Sequence, residues 1–169
     1  SILVVDDNAV IRQILKLALE QNHHHVTMAN DGQEAIELME KHYFDLILLD
    51  IMMPKMNGIQ VLEHMAKVPE LAQIPVIVIS ADGQIDNAIR CIQLGAEDYL
   101  VKPPNQTLLR TRVTASLRKK FLHDQEQAHQ AEMERMYEAV KAANQAKTEF
   151  IAMAAHELRN PLSQIATTN

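Results

Sequence analysis

Five short apolar runs alternate with amphipathic segments through the first two-thirds of the chain, and this alternation constrains the fold more than any other feature. The runs span residues 2–5, 26–29, 45–49, 76–79 and 99–101. They lack polar alternation, which is typical of strands buried on both faces of a sheet. Between the runs, apolar residues recur at helical spacing. The pattern predicts an α/β fold with a doubly wound, five-stranded parallel sheet and helices on both faces.

The composition changes after Pro104. From about residue 106 to 158 there is no Gly and no Pro, and good helix formers dominate, so one long helix is predicted. A heptad seam can be drawn through Leu122, Glu126, His129, Met133, Met136, Val140, Ala143, Lys147, Phe150 and Ala154. Because a long helix without a packed face is marginal in water, we expect a parallel homodimer through this helix, with a single unpartnered helix as the alternative.

Polar side chains follow the predicted strands at their carboxyl ends: Asp6, Asp7, Asp50, Ser80 and Lys102. In open parallel sheets, ligands bind outside this edge. Clustered carboxylates repel one another, and Mg²⁺ relieves the repulsion because it prefers oxygen ligands. Asp50 is then a candidate nucleophile toward a phosphoryl group, and Lys102 and Ser80 are candidates to contact the phosphoryl oxygens. The alternative is that these are ordinary polar residues at strand ends.

The chain from residue 2 to about 121 resembles the receiver domain of two-component response regulators. The matching motifs are VVDDN at 4–8, LDIMMPKMNG at 49–58, ISA at 79–81, GA at 95–96 and YLVKP at 99–103. The resemblance implies a flavodoxin-like fold. It also implies that Asp50 becomes an acyl phosphate, and that the carboxylates of Asp7 and Asp50 bind Mg²⁺ together with the Met52 backbone carbonyl. Asp6 would act on the metal through water.

The same resemblance assigns three further roles. Lys102 would contact the phosphoryl group, and the Lys102–Pro103 peptide bond would be cis. Ser80 would move toward the phosphoryl oxygen, and Tyr99 would rotate inward. Together Ser80 and Tyr99 would form the conformational switch.

A second motif lies near the end of the chain. Residues 147–162, KTEFIAMAAHELRNPL, look like the H box of sensor histidine kinases, with His156 as the candidate phosphoacceptor. Glu157 would orient the imidazole or take its proton, and Asn160 would position water for phosphatase chemistry. The common form of the box has Ser before the His and Thr before the Pro. Ala155 and Asn160 depart from that form, and neither removes the nucleophile.

These motifs predict three segments: a receiver domain at 1–121, a coiled-coil linker helix at 122–147 and the start of a dimerisation and histidine-phosphoacceptor helix at 148–169. The expected function is a phosphorelay in which the receiver regulates an attached histidine kinase, as in hybrid kinases. No Gly-rich nucleotide-binding motif is present. From the H box we expect the parent protein to be a histidine kinase. Because this chain lacks an ATP-binding motif, we expect the chain itself to show only slow self-catalysed phosphotransfer and dephosphorylation.

Two other functions are open. The first is a receiver and coiled-coil module that dimerises and controls a different output domain. The second is a metal-dependent phosphatase with Asp50 as nucleophile. Phosphatases of that kind usually place a second acid two positions on, where this chain has Met52.

Charge and composition narrow the partners. The formal net charge of −6 argues against nucleic-acid binding. No apolar run approaches the ~20 residues that span a bilayer. Cys91 is the only cysteine, so an intrachain disulfide is excluded. We expect a cytoplasmic protein whose partner is a cognate histidine kinase or phosphotransfer protein.

Overall fold

The computed structural model of the chain describes the backbone of residues 1–81 and 85–166, and the side chains of 1–81 and 86–157. The chain divides into two compact units, Ser1–Leu122 and His123–Asn169.

The first unit contains one five-stranded, fully parallel sheet. Its strands are β1 (Ile2–Val5), β2 (Val26–Ala29), β3 (Leu46–Asp50), β4 (Val76–Ser80) and β5 (Asp98–Val101). They lie in the order β2-β1-β3-β4-β5. The helices are α1 (Ala9–Glu20), α2 (Gly32–Lys41), α3 (Gly58–Met65), α4 (Pro69–Ala72), α5 (Ile85–Gln93) and α6 (Gln106–Ala166). This architecture confirms the predicted flavodoxin-like fold with a long C-terminal helix.

Two apolar clusters, one on each face of the sheet, explain why the strand sequences lack polar alternation. On β1, Leu3 and Val5 pack into the cluster that α2, α3 and α5 cover. The alternate residues Ile2 and Val4 pack into the other, with α1 and the start of α6. Each side chain buried in this way stabilises the fold by roughly 1.5–3 kcal/mol relative to an exposed one.

Side-chain caps mark the first turns of α1, α2 and α3. Asn8 accepts hydrogen bonds from the amides of Val10 and Ile11 at the start of α1. Asp31 accepts from the Glu34 amide at the start of α2. Asn57 forms a reciprocal capping box with Gln60 at the start of α3. Such caps satisfy amides that have no partner within the helix, so they locate where each helix begins.

The predicted strand bounds differ from the observed ones by one residue in three strands, and one helix was missed. The predicted run 45–49 is observed as Leu46–Asp50, which places Asp50 as the last residue of β3. The short helix α4 has a Pro at its first position and spans four residues. A helix of that length is too short to show a periodic pattern.

The helix α6 continues into the second unit, which confirms the predicted long helix. From His123 to Glu157 its side chains are exposed except for the partly buried Ala154. Met133, Met136, Val140 and Phe150 of the heptad seam are each more than half exposed. Residues 167–169 of the predicted phosphoacceptor segment lie outside the described residues. Among the described helices, none combines the length and the apolar character needed to cross a membrane.

Candidate phosphoryl-transfer site

Three carboxylates meet at the carboxyl edge of the sheet. In the parallel pairing of β1 with β3, Val5 lies opposite Leu49, so the residues that follow, Asp6 and Asp50, come side by side. Asp6, Asp7 and Asp50 each place one carboxylate oxygen within 4.8 Å of the others. Asp6 and Asp50 are buried, at 1% and 4% exposure, whereas Asp7 is exposed.

Lys102 reaches this cluster from the end of β5. Its amide donates to the Ser80 carbonyl oxygen at 2.7 Å, which extends the pairing with β4 by one residue. The Lys102–Pro103 peptide bond is cis, as the resemblance implied. The Nζ atom of Lys102 lies 2.7 Å from Oδ2 of Asp6 and 2.7 Å from Oδ2 of Asp50. One cation therefore contacts two buried carboxylates.

These charges shift the protonation equilibria in directions that follow from burial and pairing. Burial raises the pKa of Asp50, and although the hydrogen bond and charge of Lys102 oppose the shift, the pKa stays above its ordinary value. Burial alone would lower the pKa of Lys102. The close contacts and negative charges of Asp50 and Asp6 outweigh burial, and the pKa of Lys102 is raised. Lys102 is therefore charged at neutral pH, since lysines ordinarily titrate near ~10.4.

The cluster fits a divalent cation. The Oδ2 atom of Asp6 is buried and, among the described residues, has no partner with acceptable hydrogen-bond geometry, although Lys102 forms an ion pair with it. Buried oxygen atoms are normally hydrogen-bonded or bound to a cation. The donors here are carboxylate oxygens at adjacent strand ends, which is the ligand type that Mg²⁺ prefers.

A family model described as "Response regulator receiver domain" matches residues 2–114 of the 169. The chain belongs to the response regulator receiver family. The carboxylate cluster and Lys102 therefore lie at the carboxyl edge of the sheet in a two-component receiver domain.

Related proteins and solved structures agree with this assignment. The probable transcriptional regulator ycf27 of Guillardia theta is 39% identical over 118 residues, which cover 70% of this chain and 45% of that protein. The transcriptional regulatory protein SrrA of Staphylococcus aureus strain NCTC 8325 / PS 47 is 42% identical over 113 residues, 66% of this chain and 46% of SrrA. The matched segment thus spans less than half of each relative.

Two solved structures have the same fold. The receiver domain of the Francisella response regulator 1452 superposes with a TM-score of 0.65 at 36% identity, covering 70% of this chain and 96% of that one. The signal receiver domain of a signal transduction histidine kinase from Syntrophus aciditrophicus has a TM-score of 0.65 at 29% identity, covering 70% and 89%.

The receiver places the two predicted switch residues on neighbouring strands. Ser80 is the last residue of β4 and is buried, at 2% exposure. Tyr99 lies in β5, opposite Val78, and its side chain is 44% exposed. The amide of Met52 donates to Oδ1 of Asp50 at 3.3 Å, so the residue whose carbonyl is the predicted metal ligand contacts Asp50.

Several supporting residues of the receiver site were not singled out from the sequence. The Asn8 amide donates to Oδ1 of Asp6 at 2.9 Å, and the Arg12 guanidinium donates to the Asp6 carbonyl oxygen at 2.6 Å. A Cβ atom on Gly58 would lie 2.3 Å from the Asp50 carbonyl oxygen, so only glycine fits there. The Asn-Gly pair at 57–58 is a visible turn signal, but nothing in the local sequence reveals contact with residue 50.

The histidine of the second motif belongs to the second unit. His156 and Glu157 lie on α6 and are exposed. The backbone of Asn160 is helical, and its side chain lies outside the described residues. The predicted roles of these three residues stay predictions.

Proposed function

We propose that the chain is a magnesium-dependent phosphoryl acceptor of a two-component system and that Asp50 carries the phosphoryl group. The observation that carries the proposal is the contact of Lys102 Nζ with both Asp6 and Asp50, 2.7 Å from each, within a buried carboxylate cluster. A lone strand-end aspartate would need neither the second carboxylate nor the lysine. The cluster sets three carboxylates against one positive charge, and this excess of carboxylates favours a divalent cation, whose charge would in turn offset that of a phosphoryl group.

Asp50 is the nucleophile in this reaction. One of its carboxylate oxygens attacks the phosphorus of a phosphohistidine on a cognate kinase or phosphotransfer protein. The new O–P bond forms as the donor's P–N bond breaks, and the imidazole nitrogen keeps the electron pair. Lys102 then exchanges its contact with Asp50 for a phosphoryl oxygen. Asp7, Asp50 and the Met52 backbone carbonyl would hold Mg²⁺, and Asp6 would act on it through water. The bound cation would supply positive charge that offsets the negative charge of the transferring group.

The response to phosphorylation is assigned to Ser80 and Tyr99. Ser80 donates its hydroxyl proton to a phosphoryl oxygen. Its movement vacates space beside β5, and Tyr99 rotates from its half-exposed position toward that space. This assignment is supported by the adjacency of the two strands, in which Ser80 pairs with Val101 and Tyr99 with Val78.

We assign the output to an attached histidine kinase, with the receiver at 1–121, a coiled-coil linker at 122–147 and the phosphoacceptor helix from 148. The exposed His156 within its H-box motif supports this output. The Syntrophus structure supports it as well, since its title places a receiver of the same fold in a histidine kinase. The exposed apolar seam of α6 supports a parallel homodimer, in which phosphorylation changes the pairing of the helices.

A second output is favoured by a different observation. The relatives ycf27 and SrrA are both named as transcriptional regulators, and this supports the alternative in which the receiver and its helix control a different output domain. Direct nucleic-acid binding by this chain itself is not part of either proposal, because its net charge is −6.

Intact-mass measurement after incubation with acetyl phosphate tests the proposal. With Mg²⁺, the chain gains one phosphoryl group that hydroxylamine removes, and EDTA prevents the gain. Asp50→Asn gains none, because the amide is not a nucleophile of this kind. Equal labelling of Asp50→Asn would contradict the assignment of the acceptor, and no labelling of the unaltered chain would contradict the proposed function.

A further inference from the structure

The loop between β3 and α3, residues 51–57, begins directly after the phosphoryl acceptor. Within it, the Met52 amide donates to Oδ1 of Asp50 at 3.3 Å. The loop is closed at its base by the Gly58 amide, which donates to the Ile51 carbonyl oxygen at 2.9 Å. Any contact that holds this loop therefore also holds Met52 against Asp50.

The loop is fastened to the start of α2 by two contacts. The Nζ atom of Lys55 lies 2.5 Å from Oδ2 of Asp31, and the Gly32 amide donates to the Met56 carbonyl oxygen at 3.2 Å. The approach is close, since a Cβ atom on Gly32 would lie 2.6 Å from that same carbonyl oxygen. We call Asp31 and Lys55, with the Gly32–Met56 hydrogen bond, the loop clamp.

The two charged residues of the loop clamp are unequal in burial. The Asp31 side chain is 8% exposed, whereas that of Lys55 is 74% exposed. The other carboxylate oxygen of Asp31 already accepts from the Glu34 amide, so the ion pair uses the oxygen that the helix cap leaves available. The hydrogen bond from Lys55 lowers the pKa of Asp31, with a further contribution from the Glu34 amide. The buried carboxylate is thus charged, and Lys55 is its cationic partner.

Lys55 also has an unusual backbone. Its φ is +63°, in the left-handed region that residues with a Cβ seldom adopt. Glycine would occupy this position without strain, but it could not pair with Asp31. A residue held in a disfavoured conformation beside a reactive site indicates that its side chain is needed there.

We propose that Asp31 and Lys55 are positioning residues for phosphoryl transfer, because their ion pair holds the loop that keeps Met52 at the Asp50 carboxylate. This inference rests on the proposed function, since it concerns the same site. The loop clamp touches neither the metal nor the phosphoryl group. It acts through Met52, and its loss lowers the affinity of the site for Mg²⁺ more than the rate at saturating Mg²⁺.

Isothermal titration calorimetry of Mg²⁺ into the 169-residue chain measures this effect. We expect Lys55→Met and Asp31→Asn each to weaken Mg²⁺ binding about fivefold, the upper range for a partly exposed ion pair. The double variant is no weaker than either single one, because both remove the same contact. Lys55→Arg retains the charge and restores affinity. The matched control is Arg90→Met, which removes the exposed Arg90–Glu63 pair of α5 and α3 and leaves Mg²⁺ affinity unchanged.

Hydrogen exchange of the metal-free chain gives a readout independent of Mg²⁺. In Lys55→Met, the Gly32 and Met52 amides exchange faster, while amides within β3 keep their protection. Lys55→Gly serves as a variant that keeps the fold, because glycine accepts the positive φ. Relief of the positive φ offsets part of the stability lost with the ion pair, so its unfolding midpoint lies nearer to that of the unaltered chain than the midpoint of Lys55→Met does. Its Mg²⁺ affinity nevertheless falls as far as that of Lys55→Met, a combination that a merely structural role for Lys55 would not produce.

Mg²⁺ affinities within twofold of the unaltered chain in Lys55→Met, Lys55→Gly and Asp31→Asn would overturn the inference and leave the proposed function intact. Additive losses in the double variant would also overturn it. If the unaltered chain itself binds no Mg²⁺ and takes up no phosphoryl group, the proposed function fails together with the inference.

Discussion

The contact of Lys102 with two buried carboxylates predicts that the metal-free protein depends on this lysine for stability. We consider Lys102→Met, which retains an unbranched chain and removes the charge. At an effective dielectric constant of about 20, each 2.7 Å contact represents about 6 kcal/mol of Coulomb attraction before desolvation is subtracted. The repulsion between carboxylate oxygens that lie within 4.8 Å of one another, at least about 3.5 kcal/mol per pair on the same scale, is then uncompensated.

Desolvation offsets much of this energy, so the net loss is smaller than the Coulomb sum. Removing one partner of a buried ion pair typically costs about 3–5 kcal/mol, and we expect the free energy of unfolding at pH 7 to fall by that amount. With Mg²⁺ at saturation, the difference in the free energy of unfolding between the unaltered chain and Lys102→Met narrows by about 1 kcal/mol or more. The reason is that the cation replaces the lost positive charge.

Urea unfolding monitored by circular dichroism, with EDTA or with Mg²⁺, measures both quantities. The matched control is Lys119→Met, which removes an exposed lysine 3.4 Å from Glu97 and should cost less than about 1 kcal/mol. If Lys102→Met and Lys119→Met lose equal stability in EDTA, Lys102 does not compensate the buried carboxylates. A loss that Mg²⁺ does not reduce would show that the cation does not replace the charge of Lys102 at the cluster.

Two further predictions concern the loop clamp and the long helix. The folded pKa of Asp31 is lowered, chiefly by the hydrogen bond from Lys55, so its contribution to stability is present above its unfolded pKa of ~3.9 and is lost as pH falls through the folded pKa. Asp31→Asn should therefore have a lower free energy of unfolding than the unaltered chain at pH 7, and this difference should disappear in acid. Urea unfolding at several pH values measures the difference, and a difference that does not depend on pH contradicts the prediction. In the helix, Met136→Glu on the seam should weaken self-association at least tenfold in sedimentation equilibrium, because it places like charges at a packed position. Tyr137→Glu, which is off the seam, should leave association nearly unchanged, and equal effects of the two would refute the seam.

The sequence was sufficient to predict the fold and the strand-end residues, because both depend on local periodicity. The five apolar runs indicate buried parallel strands, and the carboxyl ends of neighbouring strands necessarily meet at one edge. This reasoning alone places Asp6 near Asp50. The resemblance predicted that Lys102 contacts a phosphoryl group at this site. It did not predict the ion pairs that Lys102 forms with both Asp6 and Asp50.

The Asp31–Lys55 ion pair could not be predicted from the sequence, because no local pattern relates the two residues. Asp31 and Lys55 are 24 residues apart, in segments that no periodic pattern connects. A helix-capping aspartate and a lysine in a turn are each unremarkable in sequence. Their pairing depends on how closely Gly32 approaches the Met56 carbonyl, which is a property of the packed structure.

Because of the strand order, the proposed phosphoryl acceptor and the proposed switch residue Tyr99 lie on strands with different numbers of hydrogen-bonded neighbours. Asp50 lies on β3, the middle strand, with β1 and β4 bonded to either side, whereas Tyr99 lies on β5, which pairs only with β4 among the described strands. Shifting the acceptor's backbone would break two ladders of hydrogen bonds, and shifting the tyrosine's would break one. Under the proposed function, the phosphoryl group would therefore be received on a strand held from both sides, and the displacement would occur at the edge of the sheet, where another protein can bind.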